Sequence, residues 1–386
     1  MSSDISKKPE TVNNAAKSQT TGNTAAKEPF LRIAKKDTTS LKNKILIRAL
    51  SILFALVLDA LFIFFVTGLN PFAVYGKMFA GTFGSSIRFS WAMRDLVSLL
   101  CIGVALAPAF KMKFWNIGAE GQVLMGGLIT SLIMVYFGQS MPTWLLFPVM
   151  FLASILGGAL WGFIPAFFKA KWKTNETLFT LMMNYIAISF VACAVNILRG
   201  QASSLGKLNM STKIGWFPMF LGQRYNINIL IVVLLTFGMF FYLKYTKHGY
   251  EIAVVGESEN TAKYAGINVS KVIMRTMAIS GAICGLCGFL LVCGRDQTIS
   301  TSTAGGNGFT AIIVAWLAKF NTFYMALIAF LLTFLSKGAG EIASAYGLND
   351  FAASIIEGII LFCILGSEFF INYKMIFRQK DKKGEN

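Results

Sequence analysis

Long apolar runs, interrupted by short polar or basic stretches, set the pattern along this chain. A run of about 18 or more predominantly apolar residues suffices to cross a bilayer as an α-helix. Such runs predict spans over 45–67, 95–110, 144–168, 177–198, 228–243, 276–294 and 351–372, with another ending near Phe137. Two shorter stretches, 309–320 and 322–337, bring the total to about ten. Asn70-Pro71 breaks the first span, because proline lacks the amide that would continue it. The aromatic residues 72–93 predict an interfacial or re-entrant segment, and 309–320 admits the same reading. The pattern predicts an all-α polytopic membrane protein with both termini on one side.

The polar stretches set the domain organisation. Residues 1–44 are rich in Ser, Thr, Asn, Lys and Ala, which predicts a disordered basic tail. Residues 45–372 form the transmembrane domain, with an extracytoplasmic loop at 199–227 and a hydrophilic cytoplasmic stretch at 244–275; 373–386 is a second basic tail. Ten basic residues through Arg48, against four acidic ones, place the N-terminus in the cytoplasm. Alternating the loops then puts 26 Lys and Arg inside and nine outside. That asymmetry accounts for the net charge of +17 without a nucleic-acid partner. Composition agrees: 55% of residues are hydrophobic and the mean hydropathy is +0.61, which disfavours a soluble helical enzyme. No secretory signal peptide is visible. Gly158-x-x-x-Gly162 and Gly281-x-x-x-Gly285, with Gly288 on the latter face, carry the small-residue spacing of close helix contacts in lipid.

One polar run lies between two apolar spans: Phe114-Trp-Asn-Ile-Gly-Ala-Glu-Gly-Gln122. Asn116, Glu120 and Gln122 are costly there unless paired, hydrated or facing a passage. Gly118 and Gly121 let the backbone break at the same point. Asp59 in mid-span and Glu357 near the last span admit a pathway role or a structural interhelical bond. Asn184 is placed to line a route; Phe309, Trp316 and Trp161 are placed to stack on a planar ligand or on neighbouring helices.

The 244–275 stretch carries the second informative feature. Ser258 is an N-cap, Glu259 suits the positive end of a short helix, and Gly266 can stop it. Physics alone leaves two readings level, a knob for a protein groove and an ordinary amphipathic loop helix. Chemistry is narrowed by what the chain lacks. It has no phosphate-binding G-x-x-x-x-G-K-[ST] loop, no G-x-S-x-G elbow and no H-E-x-x-H helix. Cys284-Gly-Leu-Cys287 has no further Cys or His at ligand spacing, and His248 is the single histidine. Neither a catalytic constellation nor a metal site is predicted.

Four segments together resemble a known family. Asn116-Ile-Gly-Ala-Glu-Gly-Gln122 is similar to the permease subunits of ABC importers for nucleosides and simple sugars, a group akin to the ribose and branched-chain amino-acid permeases. The nucleoside branch, served by a purine-nucleoside-binding lipoprotein, resembles it most. Val255-Gly-Glu-Ser-Glu-Asn-Thr-Ala-Lys-Tyr-Ala-Gly-Ile-Asn-Val269 resembles the family's ATPase-contacting loop. Glu176-Thr-Leu-Phe-Thr-Leu-Met-Met-Asn-Tyr185 and Gly308-Phe-Thr-Ala-Ile-Ile-Val-Ala315 resemble two further segments in the same order. Thr310-Ala311 stands where the family usually has Asp-Gly, and Leu317-Ala318-Lys319 replaces a Gly-containing end.

The resemblance, covering about 45–372, implies a non-catalytic permease subunit in the plasma membrane of a prokaryote. It implies nucleosides as substrate, purine nucleosides foremost, with a simple sugar such as ribose as the alternative. It also implies a cytoplasmic ATPase carrying ATP and Mg, a second homologous permease in a heterodimer and an extracytoplasmic binding lipoprotein; no cofactor binds this chain. Gly256, Glu257, Ser258, Ala262, Ala265 and Gly266 would couple to the ATPase. Asn116, Glu120, Gln122, Asn184, Phe309 and Trp316 would line the path. An ion-coupled secondary transporter using Asp59, Glu120 or Glu357 is the more distant alternative, and no internal repeat supports it.

Overall fold

The computed structural model describes residues 31–36, 40–347 and 350–377. They fall into two compact units, one of residues up to 54 and from 363 onwards, the other of 55–362.

The smaller unit differs from the two expected tails. Residues 1–30 of the first tail lie outside the described set, but Leu31–Lys35 form strand β1, antiparallel to β2, Tyr373–Phe377. Their register runs from Leu31 opposite Phe377 to Lys35 opposite Tyr373. The Lys36 amide donates to the Asn372 carbonyl at 2.9 Å, and its Nζ to the Phe370 carbonyl at 2.8 Å. Arg48 pairs with Glu368 at 2.5 Å. Helix α1 (Leu41–Thr67) therefore starts before residue 45, and a two-stranded ribbon accompanies the helices.

In the larger unit the helices follow the apolar runs. They are α2 (Pro71–Phe83), α3 (Ser86–Lys111), α4 (Ala119–Tyr136), α5 (Thr143–Trp172), α6 (Glu176–Arg199), α7 (Asn226–Tyr245), α8 (Lys247–Glu257), α9 (Glu259–Tyr264) and α10 (Val269–Leu290). A π-helical turn, Leu291–Asp296, continues α10; α11 (Asn307–Leu317), α12 (Thr322–Tyr346) and α13 (Asp350–Asn372) follow. Among the described residues eight helices are long and apolar enough to span a membrane: α1, α3, α4, α5, α6, α7, α10 with its π turn, and α12. The described part of α13 is a shorter apolar helix. The expected span at 309–320 is an 11-residue helix, about 16 Å long and half a bilayer at most. Residues 72–93 are α2 and the first turns of α3. Asn70 caps α2 through Phe72 N at 3.0 Å, with Pro71 at the first helical position, where its missing amide is harmless.

The core is α10 and α3, each 78% buried over its apolar window, against 28% for α6 and α7. Lipid tails are as apolar as leucine, so close van der Waals packing has to hold such helices together. Gly285 on α10 supplies it: α4 approaches at Gly126 and α5 at Gly158, and a Cβ at Gly285 would run into the Ser154 carbonyl. The expected Gly158/Gly162 and Gly281/Gly285 faces meet each other. The 199–227 loop folds onto the π turn, Leu208 N donating to Gln297 O at 2.8 Å and Phe217 N to Cys293 O at 3.1 Å.

Candidate functional site

The Asn116–Gln122 run is the bend between α3 and α4, and its side chains hold that bend closed. Asn116 Oδ1 accepts from Gly118 N at 2.9 Å, and the Asn116 and Gln122 amides pair at 3.3–3.4 Å. Two α6 side chains complete it. Thr180 Oγ1 accepts from Ile117 N at 3.2 Å, while Asn184 accepts from Gly121 N and donates to Ile117 O, both at 2.8 Å. A helix start leaves amides without partners; at α4 the buried Asn184 amide supplies one.

Glu120 serves a different helix. Its Oε1 accepts from Gly306 N and its Oε2 from Gly308 N, both at 2.8 Å. These amides open α11, whose N-cap, Gly306, has no side chain to offer. The carboxylate thus caps α11 from across the fold, and the positive end of that helix favours its charge. At the other end of α11, Trp316 stacks on Trp115 with ring centroids 5.2 Å apart. The α3–α4 bend therefore grips α11 at both ends.

A polar cavity of about 510 Å³ opens beside the start of α11. Asn307 and Thr310 face it from α11, Thr333, Ser336 and Lys337 from α12, Arg94 and Asp95 from α3, and Arg295 and Asp296 from the π turn. Arg295 makes a two-pronged pair with Asp296 at 2.8 and 2.9 Å and donates to Thr303 O at 2.9 Å. Asp95 pairs with Arg94 at 3.4 Å and with Lys337. Single π turns recur at functional sites, and charges within spans face water-filled space or a pathway.

None of the six expected path residues lines this cavity. Asn116, Glu120, Gln122 and Asn184 are buried in the bend; Phe309 and Trp316 are exposed, Trp316 already stacked. Glu120 alone reaches the cavity's frame, through the amides flanking Asn307. Sequence reasoning passed over Arg94-Asp95 and Arg295-Asp296, since each lies at the end of an apolar run. The repeated Arg-Asp dipeptide at two span ends is the signal that marks them. Asp59 is buried, with no hydrogen-bond partner among the described residues, and lies outside the cavity. The side chain of Glu357 lies outside the described residues.

The 244–275 stretch forms the short helix expected after Ser258, α9, and an additional one before it, α8. Ser258 joins them, its Oγ accepting from Thr261 N at 3.3 Å, and Gly266 follows α9 at φ +74°. Ala262 is buried while Glu257, Ala265 and Gly266 are exposed and Tyr264 is 93% exposed, so α9 projects as a knob. Gly256 of α8 lies against the Lys111 carbonyl, so α8, which carries the knob, abuts the end of α3 where the α3–α4 bend begins. His248, at the start of α8, is wedged between Tyr242 at Nδ1 and Thr276 Oγ1, 3.5 Å from Nε2. Burial lowers its pKa, Arg275 lowers it further, and Glu251 opposes them. A depressed histidine contributes stability above its unfolded pKa and loses it as pH falls through the folded value. The thermal midpoint of the protein should therefore drop on acidification from neutral through the histidine range. His248→Gln should flatten that drop; an unchanged slope would rule the histidine out as its source.

Residues 88–365 match the family described as the branched-chain amino acid transport system permease component. The chain belongs to this permease family. It is 30% identical over 349 residues to the guanosine ABC transporter permease protein NupP of Bacillus subtilis, covering 89% of this chain and 98% of that one. It is 27% identical to the nucleoside ABC transporter permease protein NupB of Lactococcus lactis, over 83% of this chain and 90% of that one. Identity is also 27% to the glucose ABC transporter permease protein TsgB13 of Haloferax volcanii, over 79% and 83% respectively. No solved structure matches. As a member of the permease family with eight apolar spans among its described residues, the chain is a multi-pass plasma-membrane protein.

Proposed function

We propose that this chain is the permease subunit of an ATP-driven importer of nucleosides, purine nucleosides foremost. The observation that carries the reading is the match to the guanosine permease protein along 98% of its length. The cavity supports it in chemistry. A volume of about 510 Å³ falls in the range of small-molecule sites, and its hydroxyl, amide and ion-paired side chains suit a neutral, many-hydroxyl solute. In this reading the chain performs no covalent step and binds no cofactor. ATP and Mg reside on a cytoplasmic ATPase that docks on the α9 knob. A binding lipoprotein delivers substrate from outside, and a second, homologous permease completes the path.

The match to the glucose permease protein favours a second reading, a simple sugar, which the same polar lining would accept. Ion coupling through Glu120 is disfavoured, because both of its oxygens are taken by backbone amides. Uptake by vesicles holding both permeases, the ATPase and the binding protein tests these readings. Guanosine uptake that requires ATP is expected; uptake driven by a proton gradient without ATP would overturn the importer, and competition by ribose or glucose but not inosine would overturn the nucleoside. Arg295→Met should lower uptake about tenfold or more, since it leaves Asp296 unpaired and the Thr303 carbonyl without its donor. Unchanged uptake would remove the cavity from the route.

A further inference from the structure

A second cavity, of about 260 Å³, lies at the opposite, basic end of the bundle. Three elements bring lysines to it: Lys111 from the end of α3, Lys244 from the last turn of α7 and Lys319 from the α11–α12 loop. Among the described residues, none that lines it is acidic. Among the described residues neither Lys111 nor Lys244 is in an ion pair, whereas Arg88, Arg94, Lys169, Arg295 and Lys337 all are. Lys111 Nζ donates to the Leu243 carbonyl at 3.1 Å, which leaves two of its three donors. Lys244 Nζ stands 5.3 Å from the Phe240 ring centre. Phe240 and Phe320 form apolar walls. The positive end of the 25-residue α12, at Asn321 and Thr322, closes the cavity.

We propose that this cavity binds a phosphate group at the cytoplasmic membrane surface, and that its ligand is the headgroup of an anionic phospholipid. Lys111 and Lys244, which meet no carboxylate among the described residues, are satisfied by an anion, and basic pockets between spans on the cytoplasmic side suit lipid headgroups. The phenylalanine walls favour a lipid over free phosphate, because they would lie against its glycerol and acyl carbons. The site adjoins the α3–α4 bend through Lys111, next to where Gly256 meets it. Bound lipid would therefore steady the surface on which the α9 knob is mounted.

The test uses the full chain with its partner subunits in bilayer discs of phosphatidylcholine, with or without phosphatidylglycerol. Native mass spectrometry counts retained phosphatidylglycerol, and thermal unfolding reports its effect. The protein should hold phosphatidylglycerol and unfold several degrees higher with it. Lys244→Gln should retain about fivefold less lipid and lose much of the shift; being exposed, this side chain can be changed without disturbing the fold. Lys111→Gln with Lys244→Gln should lose more. Lys171→Gln with Lys271→Gln, on the same side but off the cavity, should behave as the parent. Inorganic phosphate added to pure phosphatidylcholine discs at constant ionic strength separates the sources. A shift there that Lys244→Gln abolishes would overturn the lipid and leave phosphate as the ligand. Equal lipid retention by the cavity and control variants, or no shift in any arm, would overturn the site itself.

Discussion

Replacing Glu120 with alanine is expected to cut uptake by more than about tenfold and to lower the thermal midpoint, although this side chain does not line the polar cavity. The reason is local accounting at α11. Its opening amides on Gly306 and Gly308 have Glu120 as their acceptor; Glu120 and Gly308 are buried, while Gly306 is exposed. Leaving a buried donor unsatisfied costs about 1–3 kcal/mol, which applies in full to Gly308 and less to the exposed Gly306. The first turn of α11 would then fray, and it carries Asn307 and Thr310, the cavity's α11 side. Since about 1.4 kcal/mol is a factor of ten, even partial loss of that turn is visible in transport. Glu120→Gln separates the contributions. Its single oxygen can accept one amide, while its NH2 must face the other donor, so one bond is lost and a donor–donor contact appears. The expected order of both uptake and midpoint is parent, then Gln, then Ala. Full transport and an unchanged midpoint in Glu120→Gln would show that the carboxylate is dispensable and that the bend alone matters.

The same carboxylate shows what could be read from the chain and what could not. Its cost among apolar residues was legible, because any polar group in such a setting needs a partner. Which partner was not legible: Gly306 lies 186 residues away, and nothing local specifies it. The same division holds elsewhere. The α5 and α6 spans, the Ser258 cap and the glycine faces of α5 and α10 are properties of neighbouring residues, and they stand where their spacing placed them. Helix 307–317 looked like a span because its composition is apolar, yet its buried face is Gly308, Ala311, Val314, Ala315 and Leu317 against protein. Apolarity alone cannot separate lipid contact from protein contact. The cavity failed for the opposite reason. Arg94, Asp95, Arg295 and Asp296 look like ordinary membrane-interface charges until α3, α10 and α12 are brought side by side. The paired ends, β1 with β2, required the two most distant segments of the described chain to meet.

Gly256→Leu should disconnect ATP hydrolysis from transport, with uptake falling about tenfold or more while the protein still inserts. In the folded chain Gly256 sits so close to the Lys111 carbonyl that a Cβ would overlap it, and Met112 Cα would be 3.3 Å away. Overpacking of this kind costs about 1–3 kcal/mol, and the cheapest relief is for α8 and α9 to lift off the end of α3. Through that contact α8, which carries the knob, meets the end of α3 and so the bend that caps α11 through Glu120 and stacks on it through Trp115. A displaced knob can still present Tyr264 to an ATPase, yet its movement no longer reaches the bend or the cavity above it. The two ends of the sequence of contacts can be measured separately: co-purification of the ATPase reports docking, and stimulation of hydrolysis by loaded binding protein reports coupling. Docking should persist and stimulation should fall. Gly266→Val acts from the other side, forcing a branched side chain into φ +74° and distorting the end of α9, so it should weaken docking first. If Gly256→Leu transports at the parental rate in a protein of unchanged thermal midpoint, force does not pass through the α8–α3 contact, and the knob must act through α10 instead.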